Sequence, residues 1–204
     1  MKIIEVEQGT EEWLNLRKGK ITGSKLKDIV VIRGNSEKDG FYKLLADRLA
    51  IDEAYEDPME RGHRLEDDAL EMFNTSTRKK AVKSGFWVSE ENENMACSPD
   101  GVIAKGDKIT EAVEIKCLSS GKHLEAWFTK LIPDEYKYQV LQYFIVNENL
   151  KTLYFCFYDP RVTVKPFFYL EVYREHKEDE IKYFSDYQKQ KLEKINNLLA
   201  ELTF

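Results

Sequence analysis

Apolar residues recur every three or four positions along several stretches of the chain, and this spacing predicts amphipathic helices. The strongest pattern follows Pro58 and carries acidic residues on the opposite face; its apolar stripe consists of Leu65, Ala69, Met72 and Phe73. Further helices are predicted from Trp13 to about Gly19, after a cap at Thr22 or Ser24, and over 41–49, 123–131, 135–146 and 181–202.

Runs of β-branched and aromatic residues between turn-forming residues predict strands over 85–88, 95–97, 102–104, 112–116, 152–158 and 167–173. The last two flank an Asp159-Pro160 turn and predict a hairpin. The order of helices and strands predicts the α/β class, with a mixed central β-sheet flanked by helices. Because the chain contains no repeat and no linker-like stretch, we expect a single domain over residues 1–204.

Composition narrows the functional classes. With 42% hydrophobic and 33% charged residues, the chain has enough apolar material for a core, and no apolar run approaches the roughly 18–20 residues that span a bilayer. The net charge of −6 disfavours a nucleic-acid partner, although a local cationic groove can coexist with an acidic exterior. The three cysteines lack CxxC spacing, which favours a reducing cytoplasm over a disulfide or zinc framework.

The candidate chemistry lies in Ser98-Pro99-Asp100-Gly101 and Glu114-Ile115-Lys116. On a strand, Glu114 and Lys116 point to one face and Ile115 to the other, while the turn lets the Asp100 carboxylate approach Glu114. Two close carboxylates repel each other unless a cation lies between them, and Mg²⁺ prefers such oxygen ligands, to which the Ile115 carbonyl could add. Lys116 would then lie beside a metal-bound water, an arrangement suited to phosphodiester hydrolysis.

The spacing is equally compatible with a Pro-Asp-Gly turn and an exposed Glu–Lys pair. Glu66 could reach the same cleft from its helix, but in the acidic run at 66–68 a solvated carboxylate is the more frequent outcome. Gln139 could hydrogen-bond near the site or lie half-exposed on its helix.

A basic stretch near the start could bind a DNA backbone or form a solvated face; it comprises Arg17, Lys18, Lys20, Lys25, Lys27, Arg33 and Lys38, with Ser24 as a possible phosphate donor.

The residues also resemble a known family, the lambda-exonuclease-like, YqaJ-like viral recombinase branch of the PD-(D/E)xK nuclease superfamily. The resemblance covers nearly the whole chain and rests on several motifs: Val6-Glu7-Gln8-Gly9, Leu16-Arg17, Ile21-Thr22-Gly23-Ser24, the Gly62 to Glu66 helix start, Ala96-Cys97-Ser98-Pro99-Asp100-Gly101, Glu114-Ile115-Lys116-Cys117, Tyr138-Gln139-Val140 and Tyr158-Asp159-Pro160-Arg161.

This resemblance implies a restriction-endonuclease-like fold and Mg²⁺-dependent 5′→3′ degradation of one strand of linear double-stranded DNA, leaving 3′ tails for single-strand annealing. It implies two metal ions, with Mn²⁺ able to substitute, held by Asp100, Glu114, the Ile115 carbonyl and Glu66. Lys116 and Gln139 would complete the catalytic set.

For DNA binding, the resemblance implies that Arg17, Ser24 and Arg33 bind a 5′-phosphate end and that Met59 parts the terminal base pairs. It further implies a homotrimeric ring, a single-strand annealing recombinase as partner, and the cytoplasm of a bacterial host. Two other hypotheses are a structure- or site-specific endonuclease on the same fold and a non-catalytic DNA-end binding module.

Overall fold

The structure is a computed structural model that describes residues 10–18, 20, 28–31, 34, 36–51 and 57–202. Within these residues the α-helices are α1 (Glu11–Arg17), α2 (Asp39–Leu49), α3 (Pro58–Thr77), α4 (Ser120–Thr129), α5 (Lys137–Val146) and α6 (Glu178–Leu202). Short 3₁₀ helices at Asp134–Tyr136 and Arg174–His176 precede α5 and α6. The helix predicted after Thr22 or Ser24 begins outside the described residues, of which only 28 and 29 are helical in that region.

The described strands are β1 (Trp87–Val88), β2 (Ala96–Cys97), β3 (Gly101–Lys105), β4 (Lys108–Lys116), β5 (Thr152–Tyr158) and β6 (Phe167–Tyr173). The last four form a mixed sheet in the order β3-β4-β5-β6, in which β4 and β5 are parallel and the outer pairs antiparallel. The predicted mixed sheet is therefore confirmed. Strands β1 and β2 form a separate antiparallel pair, which the sequence did not distinguish from the main sheet.

Helices cover both faces of the sheet. On one face, α3 packs Leu70 and Phe73 against Val113 and Ile115 of β4. On the other face, α5 and α6 pack against a second cluster that includes Ala112 of β4. Because alternate residues of a strand point to opposite sides, Glu114 and Lys116 share the α5 side with Ala112.

Helix α3 begins where its sequence provides an N-terminal cap. The Asp57 carboxylate accepts hydrogen bonds from the backbone N–H groups of Met59 (2.9 Å) and Glu60 (3.3 Å), and Pro58 occupies the first turn, where its missing N–H costs nothing. The cap fixes the start of the helix that carries Glu66. Among the described residues, none of the helices combines the length and apolarity that crossing a membrane requires.

Candidate active site

Strand β4 places an acid and a lysine next to each other on the α5 side of the sheet. The Lys116 Nζ lies 2.5 Å from Glu114 Oε1, and Glu114 is only 2% exposed. The ammonium group also lies 4.8 Å from the centroid of the Tyr136 ring, so it is held between a carboxylate and an aromatic face. The pair is thus sheltered rather than the exposed Glu–Lys pair that the spacing also allowed.

Two side chains of helix α5 donate hydrogen bonds to the Glu114 carboxylate, one to each oxygen. The Gln139 Nε2 donates to Glu114 Oε1 over 2.7 Å, which places Gln139 at the site instead of on a solvated face. The Tyr143 hydroxyl donates to the other oxygen, Oε2. Burial and the neighbouring Glu114 charge hold the pKa of the Tyr143 phenol well above its usual value, so this hydroxyl keeps its proton.

Tyr143 is a site residue that the sequence analysis missed. Its hydroxyl also lies 2.9 Å from the carbonyl oxygen of Ser98, in the turn that carries Asp100. One side chain of α5 therefore contacts both acid-bearing segments. The sequence contains one signal for Tyr143. It follows Gln139 by four positions, and residues four positions apart share one face of a helix.

Asp100 lies on the bend just before β3 and turns its carboxylate back onto β4. Its Oδ2 accepts the backbone N–H of Ile115 at 2.6 Å, and its own N–H donates to the Val113 carbonyl at 3.1 Å. Burial, followed by the negative charge of Glu114, raises the pKa of Asp100 to about 7, and Glu66 adds to this shift. The structure therefore places Asp100, Glu114 and Glu66 close enough for their charges to repel one another.

Glu66 projects from α3 with 27% of its side chain exposed, whereas its neighbour Asp67 is 73% exposed and pairs with Lys83. The His63 Nδ1 lies 3.9 Å from Glu66 Oε2. The Glu66 charge contributes to the raised pKa of Asp100, so Glu66 lies within electrostatic range of the site. Glu66 is thus less exposed than Asp67, the acid that follows it in the sequence.

The carboxylates suit a hard divalent cation in their chemistry. Carboxylate oxygens are the ligands that Mg²⁺ prefers, and burial together with the charges of Glu114 and Glu66 raises the pKa of Asp100. Within the part of the chain that the structure describes, however, no three His, Cys, Asp or Glu side chains are gathered in ligand geometry. Both oxygens of Glu114 instead accept hydrogen bonds from Gln139 and Tyr143.

A buried ionic network fixes the chain just beyond Lys116. The Arg61 guanidinium, on α3, donates to the carbonyl oxygens of Cys117 (3.1 Å) and Leu118 (3.2 Å) and to Asp159 Oδ1 (2.8 Å). Asp159 is fully buried and also accepts from Arg161 Nε at 2.8 Å. Helix α3, the end of β4 and the segment after β5 are thereby joined.

The residues expected to bind the DNA end are only partly described. Arg17 ends α1, with its guanidinium carbon 4.3 Å from the centroid of the Trp13 ring. Met59, in the first turn of α3, is 72% exposed and about two turns before Glu66. Ser24 and Arg33 lie outside the described residues.

The sheet order and the placement of Asp100, Glu114 and Lys116 define a restriction-endonuclease-like core of the PD-(D/E)xK type. An alkaline exonuclease (LHK-Exo) from Laribacter hongkongensis has this fold: its crystal structure matches with a TM-score of 0.56 and 24% identity, over 95% of this chain and 100% of that one. The structure of LHK-Exo in complex with dAMP matches to the same extent.

The model of the YqaJ-like viral recombinase domain matches residues 12–149, and the chain belongs to this family. None of the curated proteins matches the chain. The matched range contains α3, the acid-bearing turn, β4 and α5, so it includes Glu66, Asp100, Glu114, Lys116, Gln139 and Tyr143, whereas Asp159 and Arg161 lie beyond it.

Proposed function

We propose that the protein is a Mg²⁺-dependent 5′→3′ exonuclease that degrades one strand of linear duplex DNA to mononucleotides. The product would be a 3′ single-stranded tail for recombination by single-strand annealing. The observation that carries the proposal is the buried Glu114–Lys116 pair beside Asp100, whose pKa is raised to about 7 by burial and adjacent acids. Membership of a viral recombinase family and the fold shared with an alkaline exonuclease support it.

In this proposal Asp100, Glu114 and the Ile115 carbonyl hold the metal, and Glu66 contributes to a second ion, with Mn²⁺ able to substitute. When bound, the ion lowers the pKa of a water molecule and neutralises charge that develops on the phosphate. A bound cation would favour the ionised form of Asp100, because its charge offsets both the burial and the neighbouring acids that raise this pKa. The Glu114 carboxylate would bind the ion through its remaining lone pairs while Gln139 and Tyr143 of α5 continue to orient it.

Lys116 would act on the attacking water and on the phosphate. Its ammonium lies beside Glu114, so it can hold a water by hydrogen bonding and stabilise negative charge in the transition state. The Tyr136 ring restricts where this ammonium can move. Gln139 and Tyr143 keep the Glu114 carboxylate in one orientation, as outer partners of ligands generally do.

The polarity of degradation depends on recognition of the DNA end. We assign Arg17, Ser24 and Arg33 to the 5′-phosphate and Met59 to the terminal base pair, which its exposure at the start of α3 permits. A homotrimeric ring around DNA would retain an acidic protein on its polyanionic substrate, and a single-strand annealing recombinase would take up the exposed strand. The bacterial cytoplasm is the compartment in which this activity would operate.

The test is incubation of linear duplex DNA, labelled at either the 5′ or the 3′ end, with and without Mg²⁺. We expect mononucleotide release from 5′ ends only with the metal, and no release by Lys116→Ala. A matched control is Lys182→Ala, which removes an exposed lysine paired with Asp186 on α6 and should retain the activity of the unsubstituted protein. Digestion by Lys116→Ala at the unsubstituted rate would refute the assignment.

The same experiment separates the alternatives when closed circular DNA is included. An exonuclease requires an end and leaves circles intact, whereas cleavage of circles would indicate a structure- or site-specific endonuclease. Binding of duplex with no Mg²⁺-dependent product would indicate a non-catalytic DNA-end binding module.

A further inference from the structure

Two lysines share one aromatic ring on the surface near the C-terminal end of α4. Lys130 follows α4 and places its Nζ 3.0 Å from the centroid of the Trp127 ring, while the Lys165 Nζ lies 4.3 Å from the same centroid. The Lys130 ammonium is also 5.7 Å from the Phe168 ring. These three residues, Lys130, Lys165 and Trp127, are called the lysine clamp below.

The lysine clamp concentrates positive charge without an acid to balance it. No described Asp or Glu lies within salt-bridge distance of Lys130 or Lys165, although most other ion pairs of the chain link lysines to acids. Burial, followed by the charge of Lys165, lowers the pKa of Lys130. Two unpaired ammonium groups on one ring repel each other, and an anion placed between them would remove that repulsion.

The backbone around the clamp is fixed, so the two lysines are held together by the fold. Lys130 adopts a left-handed conformation (φ 56°) as the C-cap of α4, and its N–H donates to the Ala126 carbonyl. The carbonyl oxygen of Lys165 lies 2.9 Å from Nε2 of the fully buried His123, and its N–H donates to Val162. Hydrogen bonds therefore fix the backbone from which each lysine extends to the Trp127 ring.

The sheet connects the clamp to the candidate active site. Lys116 on β4 pairs in register with Phe157 on β5, which pairs with Phe168 on β6. Phe168 contacts Trp127 edge to face at a centroid distance of 5.3 Å. Two strand spacings separate Lys116 from Phe168, or about 10 Å. This is the backbone separation of Lys116 from Phe168, which the clamp adjoins, and a few nucleotides of one DNA strand, each rising about 3.4 Å along the helix axis, span a distance of this order.

We infer that the lysine clamp binds a backbone phosphate of the DNA, a few nucleotides from the phosphate at the active site. This inference rests on the proposed function for the identity of the polyanion. Exposed apolar side chains beside the clamp, Phe128 (59%), Leu131 (66%) and Val164 (70%), provide a surface for the sugar edge of the same strand. A second contact would hold the strand in place while the terminal nucleotide leaves.

The test compares the full chain with Lys130→Ala/Lys165→Ala in binding to fluorescent linear duplex, measured in EDTA so that cleavage does not intervene. A control with the same change of charge is Lys182→Ala/Lys194→Ala on α6, where Lys182 is paired with Asp186. Thermal unfolding of each variant verifies that the fold is retained. The slope of log affinity against log salt concentration counts the phosphate contacts.

We expect weaker binding for the clamp variant, with the slope reduced in magnitude by about 1 because one phosphate contact is lost, and no change in slope for the control. An unchanged slope for the clamp variant would overturn the clamp, and so would an absence of duplex binding by the unsubstituted chain. If the unsubstituted chain binds DNA through the clamp but releases no nucleotide, the clamp stands and the proposed nuclease activity falls. If the unsubstituted chain digests DNA but the clamp variant retains the full salt dependence of binding, the proposed nuclease activity stands and the clamp is refuted.

Discussion

Asp159→Asn tests the buried network beyond β4, because it removes a charge and preserves the shape of the side chain. The Asp159 carboxylate accepts hydrogen bonds from Arg61, from Ser120 Oγ (2.6 Å) and from three nitrogens of Arg161. The substitution leaves the Arg61 guanidinium, whose residue is 5% exposed, without a countercharge. Removal of one partner of such a buried pair costs about 3–5 kcal/mol.

The expected loss should be visible in both chemical and thermal unfolding. At 3 kcal/mol, a domain of this size should unfold about 6–12 °C lower. The matched control is Glu135→Gln, which breaks the exposed ion pair with Lys122 and should change the free energy of unfolding by about 0–1 kcal/mol. Urea unfolding followed by circular dichroism at pH 7 measures both variants.

The pH dependence of this loss gives a second measurement. Burial alone would raise the pKa of Asp159, but hydrogen bonds from Arg161 and Ser120 outweigh burial and hold the pKa below its usual value. The stabilisation is therefore complete above the ordinary Asp pKa of about 4 and is lost as the pH falls through the lower folded value. The difference between the unsubstituted protein and Asp159→Asn should shrink in that acidic range. A difference below 1 kcal/mol at pH 7, or one that does not change on acidification, would refute the reasoning.

Three further predictions concern the candidate site. Tyr143→Phe should lower Mg²⁺ affinity or cleavage rate about 10- to 100-fold in a Mg²⁺ titration, because Glu114 loses a donor; an unchanged titration would contradict its positioning role. Asp100→Asn should stabilise the metal-free protein increasingly from pH 4 to 7, since the folded pKa of about 7 makes ionisation unfavourable; equal urea midpoints at pH 8 would refute this. Arg17→Ala should reduce the ratio of digestion rates on 5′-phosphorylated and 5′-hydroxyl ends, and an unaltered ratio would count against a phosphate contact.

The periodicity of residues within a single helix or strand predicted those parts of the site that lie on that one element. Alternation along β4 placed Glu114 and Lys116 on one face, and β5 and β6 were predicted with the bounds that the structure shows. The helical pattern after Pro58 located α3. These features follow from the periodicity of a single segment, which is visible in the residues themselves.

The remaining parts depend on contacts between distant segments. Arg61 and Asp159 are 98 positions apart, and the hydrogen bond from the Ile115 N–H to Asp100 depends on how a turn folds back onto a neighbouring strand. The contact of Tyr143 with Ser98 spans 45 positions. No periodicity within one segment encodes such pairings. Sequence analysis therefore found the acids, the lysine and Gln139 but missed Tyr143, the second group that orients Glu114.

The parallel pairing of β4 with β5 has a consequence for synthesis of the chain. During translation, Asp100, Glu114 and Lys116 leave the ribosome first, whereas Tyr143, which orients Glu114, is 29 positions further on and β5 follows later still. A nascent or prematurely terminated polypeptide therefore carries the acids without the scaffold that orders them. Newly made molecules would acquire an ordered site only once α5 and β5 have been synthesised, so an unfinished copy that ends before them lacks it.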